Sequence, residues 1–126
     1  MKTITTFLFL FLITFSPAIA TPVCSSSTTV KPLSGFSFFR VHRQGSGISL
    51  SWASSSSGVV QFIIERSYDG EFFDVIGGIG CTGTNTHRLS DNNVFPGIIH
   101  YRVTAVRADG TTESSAIETV RFVRRG

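Results

Sequence analysis

Charge is scarce in this chain. Asp, Glu, Lys and Arg make up 15% of its 126 residues, and the formal net charge is only +3. With apolar residues at 41% and twelve phenylalanines, such a composition points to a packed all-β chain rather than a disordered one. No stretch keeps apolar residues at 3.6-residue spacing, which leaves no room for more than a trivial helix. No apolar run reaches the ~20 residues that a bilayer-spanning helix needs. His42, His87 and His100 fall in no His-x-x-x-His or Glu-x-x-His spacing, so no local zinc set exists. None of the many serines stands in Gly-x-Ser-x-Gly, and no base and orienting acid can be assigned to one. Without a convergent acid, base and nucleophile, the expectation is a protein that is not an enzyme and needs no cofactor. Basic residues cluster only at Arg121, Arg124 and Arg125. No aromatics interleave with them, so they read as a solvated end and not as a nucleic-acid site.

Cysteine is limited to Cys24 and Cys81, and their compartment is set by the N-terminus. Lys2 precedes the apolar run Phe7 to Phe15, Pro17 breaks it, and Ala18-Ile19-Ala20 supplies a small-x-small cleavage site. That order is a signal peptide over residues 1–20, and it implies export to the periplasm, the cell surface or the medium with no membrane span left afterwards. In an exported chain, one cysteine pair most simply forms one disulfide, Cys24–Cys81. Lipidation of Cys24 is the rival, but Thr21-Pro22-Val23 makes a poor lipobox. Residues 21–35, rich in Ser, Thr and Pro, read as a leader lying over the surface of a domain at 36–126.

From Phe36 onward, short alternating runs are separated by turn residues. Phe36 to Arg43 is a strand with Phe36, Phe38 and Val41 seeking cover. Ile48, Leu50 and Trp52 share one face of the next, and Phe62 and Ile64 share a face within Val59 to Ser67. Asp69-Gly70 and Asp109-Gly110 are two-residue hairpin turns. Phe72 to Ile79, Thr84 to Leu89, Gly97 to Ala108 and Ser115 to Val123 complete the set, with Ile99, Tyr101, Val103 and Ala105 on one side of the long strand. The expected fold is all-β, a two-sheet antiparallel sandwich of about seven strands. Glu65 and Arg102 should pair across adjacent strands. Asp91-Asn92-Asn93 offers oxygens of the kind calcium takes, though a turn explains the triplet as well. Ile63, Val106 and one of Phe72 and Phe73 should face outward as an apolar patch, unless the leader covers it.

Several of these segments together resemble the fibronectin type III domains of secreted and cell-surface bacterial proteins. They are Ile48 to Trp52, Phe62 to Ser67, Asp69-Gly70 with Phe73, Asp91, Tyr101 to Val103, and Asp109-Gly110 with Ser114-Ser115. The resemblance implies an immunoglobulin-like sandwich with Trp52 between the sheets. It also implies that Tyr101 forms a tyrosine corner, its hydroxyl bonded to backbone a little upstream. Arg107 to Gly110 falls where some such domains carry an Arg-Gly-Asp loop, but Ala108 replaces the glycine and the hairpin accounts for Asp109-Gly110. Domains of this family space, display or adhere, and no catalytic module is expected to follow. The expected function is therefore a secreted interaction or adhesion module for an extracellular protein or glycan. The alternative is a structural envelope subunit that assembles by strand pairing.

Overall fold

A computed structural model describes residues 35–125. The segment expected to be a signal peptide, most of the expected leader and Cys24 lie outside the described residues. Within them are eight strands and no helix: β1 Phe36–Gln44, β2 Gly47–Ser54, β3 Val59–Ser67, β4 Asp74–Gly80, β5 Thr86–Asp91, β6 Gly97–Arg107, β7 Thr112–Ser114 and β8 Glu118–Phe122. They form two antiparallel sheets, β1-β2-β5 and β4-β3-β6-β7, with β8 also paired to β6. No helix among the described residues is long and apolar enough to cross a membrane.

Alternation builds the core between the sheets. Leu50 and Trp52 project from the first sheet; Phe62, Ile64, Tyr101, Val103 and Ala105 project from the second, and all seven are fully buried. The Trp52 ring meets Phe62 edge-on at 5.7 Å and lies nearly parallel to His87 at 5.9 Å. Buried side chains of this size each contribute about 1.5–3 kcal/mol by leaving water. Both Asp-Gly pairs lie in turns, with Gly70 at φ 78° and Gly110 at φ 86°, a region that only glycine enters without a Cβ clash. The connections are longer than the two-residue hairpins expected, running from 68 to 73 and from 108 to 111.

Four expectations about the strands need correction. A bulge between Phe36 and Phe38 shifts the phase of β1. As a result Phe39 and Val41 pack on the core with Phe36, while Phe38 turns away and lies under the Arg40 guanidinium. β4 starts at Asp74, because Phe72 and Phe73 are taken up by the turn that Asp69 organises. β5 runs two residues later than expected, Thr86–Asp91. The final strand begins three residues earlier than expected and is divided into β7 and β8, so there are eight strands and not seven. Between them Ser115 takes over the ladder: its Oγ accepts from Val103 N at 3.0 Å and its own N donates to Val103 O at 2.7 Å. The extra residue this requires pushes Ile117 into solvent, 49% exposed.

Candidate functional site

The carboxylates are the first place to look for chemistry, and most are committed to structure. Asp91, at the end of β5 and buried, is reached from the opposite sheet by Arg66 on β3 and Tyr101 on β6. Arg66 Nη1 donates to both carboxylate oxygens at 3.0 and 2.8 Å. The Tyr101 hydroxyl donates to Asp91 Oδ2 at 2.8 Å. The expected bond to upstream backbone is thus replaced by a bond to a side chain on the other sheet. Burial and the Asp91 carboxylate together push the Tyr101 phenol well above its ordinary range. Arg66 also donates to Asn93 O at 2.8 Å, which ties down the loop after β5. Asn93 N donates back to Asp91 Oδ1 at 3.3 Å, and among the described residues no cluster of metal-ligating side chains forms.

Glu65 and Arg102 pair across β3 and β6 in a two-bond fork, 3.0 and 2.9 Å, joined by the Thr104 hydroxyl. Arg102 holds the Glu65 carboxyl below its usual range. The Phe73 ring lies 4.2 Å from the Arg102 guanidinium. This polar stripe crosses the outer face of the second sheet, so the apolar patch expected there is broken up. Ile63 and Val106 are half-buried, and Phe72 and Val75 remain exposed toward the β4 edge.

At the pole where the chain enters β1, Glu113 accepts from Gly35 N, Ser56 Oγ and Arg107, and the Ser56 bond leads in holding its carboxyl below the usual range. Gly35 O in turn accepts from Ser55 N at 2.9 Å and Ser54 Oγ at 3.0 Å. Arg107 and Asp109 are therefore spent on loop geometry, and the adhesion-loop alignment has no exposed Arg-Asp pair behind it. Asp69 and Asp109 each cap their own turn through backbone N–H groups. Cys81, beyond β4 at this same pole, is buried and is not a free thiol. Its expected partner, Cys24, lies outside the described residues. The histidines are scattered: His42 is exposed, His100 Nδ1 is 2.9 Å from Thr119 Oγ1, and His87 is buried, which pulls its pKa down.

The opposite pole carries what is left over. It gathers the β1–β2 turn, the turn after β3 and the Asn92–Pro96 loop. Tyr68 and Phe95 stand exposed with their rings 6.3 Å apart, joined by a bond from Phe95 N to the Tyr68 hydroxyl at 3.0 Å. Beside them opens a groove of about 380 Å³ lined by Arg43, Gly45, Ser46, Asn92 and Phe122 to Arg125. Arg43 is fixed there, its guanidinium 5.5 Å from the Phe122 ring and its Nη2 donating to Val123 O at 2.9 Å. Among the described residues the three ion pairs use Arg66, Arg102 and Arg107, and none uses Arg43, Arg124 or Arg125. Sequence reading missed this groove. Arg124 and Arg125 looked like a solvated end, and nothing local connects them with Arg43.

No family model matches this chain, and no curated protein matches it. Solved structures do. Pectate lyase PelI from Erwinia chrysanthemi, in complex with tetragalacturonic acid, matches with a TM-score of 0.57 at 18% identity, over 64% of this chain and 27% of that one. Pectate lyase Pel3 from Pectobacterium carotovorum matches with the same score and identity, over 70% of this chain and 27% of that one. The chain thus spans about a quarter of those lyases. At such identity the likeness concerns the fold alone.

Proposed function

We propose that this protein is an exported, non-catalytic interaction module of the fibronectin type III kind, holding an extracellular glycan or protein through the loops of one pole. The observation that carries this is the division of labour at that pole. The Arg66–Asp91–Tyr101 cluster braces the loops from beneath, while Tyr68, Phe95 and an arginine-lined groove face solvent. Rigidly held loops with exposed aromatic and cationic side chains are built for recognition.

Other features support the reading. Five of the eight carboxylates (Glu65, Asp69, Asp91, Asp109 and Glu113) are bound up in structural bonds, which leaves little for acid–base work. Three strands face a second sheet whose last strand is divided, an arrangement in keeping with the resemblance seen in the sequence. The matched pectate lyases resemble this chain over a minor part of their length, as an accessory module would. Export and the Cys24–Cys81 bridge rest on the residue pattern before position 35. The rival reading, a subunit assembling by strand pairing, meets an obstacle at β4. That edge strand is bulged opposite Ile64 and Glu65 and contains three glycines, features that discourage edge-to-edge pairing.

The test is a panel of soluble neutral and acidic polysaccharides and extracellular proteins against the purified protein, with glycosidase, lyase, esterase and protease substrates alongside. Saturable binding with no turnover is expected. Turnover abolished by a single substitution would overturn the reading, as would a concentration-dependent polymer with no ligand bound.

A further inference from the structure

Among the described residues, the groove at the loop pole gathers three arginines that enter no ion pair. Its three cations come from two places: Arg43 at the end of β1, and Arg124 and Arg125 beyond β8. No carboxylate lines it, and the nearby Asp91 is already neutralised by Arg66. Concentrating three guanidinium groups without counter-charge raises the local potential and invites an anion.

We propose that this groove binds an acidic sugar chain through its uronate carboxylates. This rests on the module reading above and deepens it. Three features of the lining favour that ligand. Planar guanidinium forks match carboxylates in two-bond geometry. Ser46, Asn92 and Gly45 share the lining with the arginines, and a hydroxyl, a side-chain amide and backbone polar groups suit sugar hydroxyls. The volume, about 380 Å³, lies in the range of small-ligand clefts, about 300–1,000 Å³. A nucleic acid would want aromatic faces for its bases. Here Phe122, the one aromatic in the lining, is 2% exposed beneath Arg43.

Arg43 positions the floor of the site, because its stacking on Phe122 and its bond to Val123 O bring β1 and the segment after β8 together. Arg124 and Arg125 make no hydrogen bond or ion pair among the described residues and stay exposed, so they can be exchanged without disturbing the core.

The experiment is calorimetric titration of the purified protein with tetragalacturonate, a neutral glucan tetrasaccharide and a short polyphosphate, at low and physiological salt. Wild type is compared with the double substitution R124A/R125A and, as a second variant, R43Q. Melting temperature confirms that each variant is folded. Tetragalacturonate should bind, weaken at higher salt, and lose at least tenfold in affinity in R124A/R125A, while the neutral chain shows no heat. Equal binding of the neutral chain would overturn the inference and leave the module reading standing. Uronate binding that R124A/R125A leaves unchanged would place the site elsewhere and overturn it. Polyphosphate binding tighter than the uronate would replace the ligand class, and absence of uronate binding would remove the site altogether.

Discussion

Replacing Asp91 by alanine should be among the most damaging substitutions in the domain, although the residue lies at the end of a six-residue strand. Its carboxylate, 6% exposed, carries two bonds from Arg66 and one from Tyr101, both from the opposite sheet. Removing it leaves an arginine that is 16% exposed without its counter-charge and a buried phenol without its acceptor. Breaking a buried pair from one side costs about 3–5 kcal/mol. Arg66 is not wholly enclosed and keeps its bond to Asn93 O, so the lower end of that range applies. Tyr101→Phe removes one bond to a charged acceptor and should cost about 1.5–3 kcal/mol. Because the two residues share one bond, D91A and Y101F should be non-additive, with a coupling of about 1–2 kcal/mol. Urea denaturation of both single variants and the double variant measures each term. A D91A cost below ~1 kcal/mol, or strict additivity with Y101F, would refute the cluster as the tie between sheets.

Three further outcomes follow from the geometry. Trp52→Ala should cost about 3–5 kcal/mol, since the indole is fully buried against Phe62 and His87; a melting temperature unchanged from wild type would show that the register of β2 is wrong. Stability should fall on acidification. The buried His87 sits below its ordinary 6.5, and Glu65 and Glu113 sit below their ordinary 4.5. The unfolded chain therefore takes up protons before the fold does, so melting temperature should decline gently below about pH 6.5 and steeply below about pH 4.5; a rise between pH 5 and 3 would contradict those assignments. Intact-mass analysis of the purified protein should show two hydrogens fewer than the reduced chain, the sign of a Cys24–Cys81 bridge. Such a bridge requires Cα atoms within about 7 Å and stabilises by ~4 kcal/mol in the chain-entropy model. A diacylglycerol adduct on Cys24 would identify an anchor instead.

Alternation made the core legible in advance. Leu50 with Trp52, Phe62 with Ile64, and Tyr101 with Val103 and Ala105 could be placed by counting in twos, and Glu65 opposite Arg102 followed from the same count. What escaped depends on one-residue irregularities and on contacts between sheets. The bulge after Phe36 exchanges Phe38 for Phe39, and no residue type announces it. Ser115 breaks the last strand by competing for a ladder position, a role any exposed serine could equally decline. The acceptor for Tyr101 was missed because Asp91 arrives from the other sheet. The same count puts Arg66 on the inner face with Phe62 and Ile64. That placement becomes tolerable only because the sandwich ends there and Asp91 meets it. The groove was hidden for a similar reason: Arg43 and Arg124 are brought together by β1 lying along β8, a relation between two sheets that no local pattern encodes.

The central claim, that this domain works by binding through one pole, is tested most directly by backbone NMR. The purified protein would be titrated with the tightest ligand from the polysaccharide and protein panel. Shifts should concentrate in Gln44–Gly47, Tyr68, Asn92–Phe95 and Val123–Arg125. Gly35, Ser54–Gly58 and Ala108–Thr111 at the opposite pole should stay in place. Perturbations confined to that opposite pole, or to the outer face around Ile63, Glu65 and Arg102, would contradict the account.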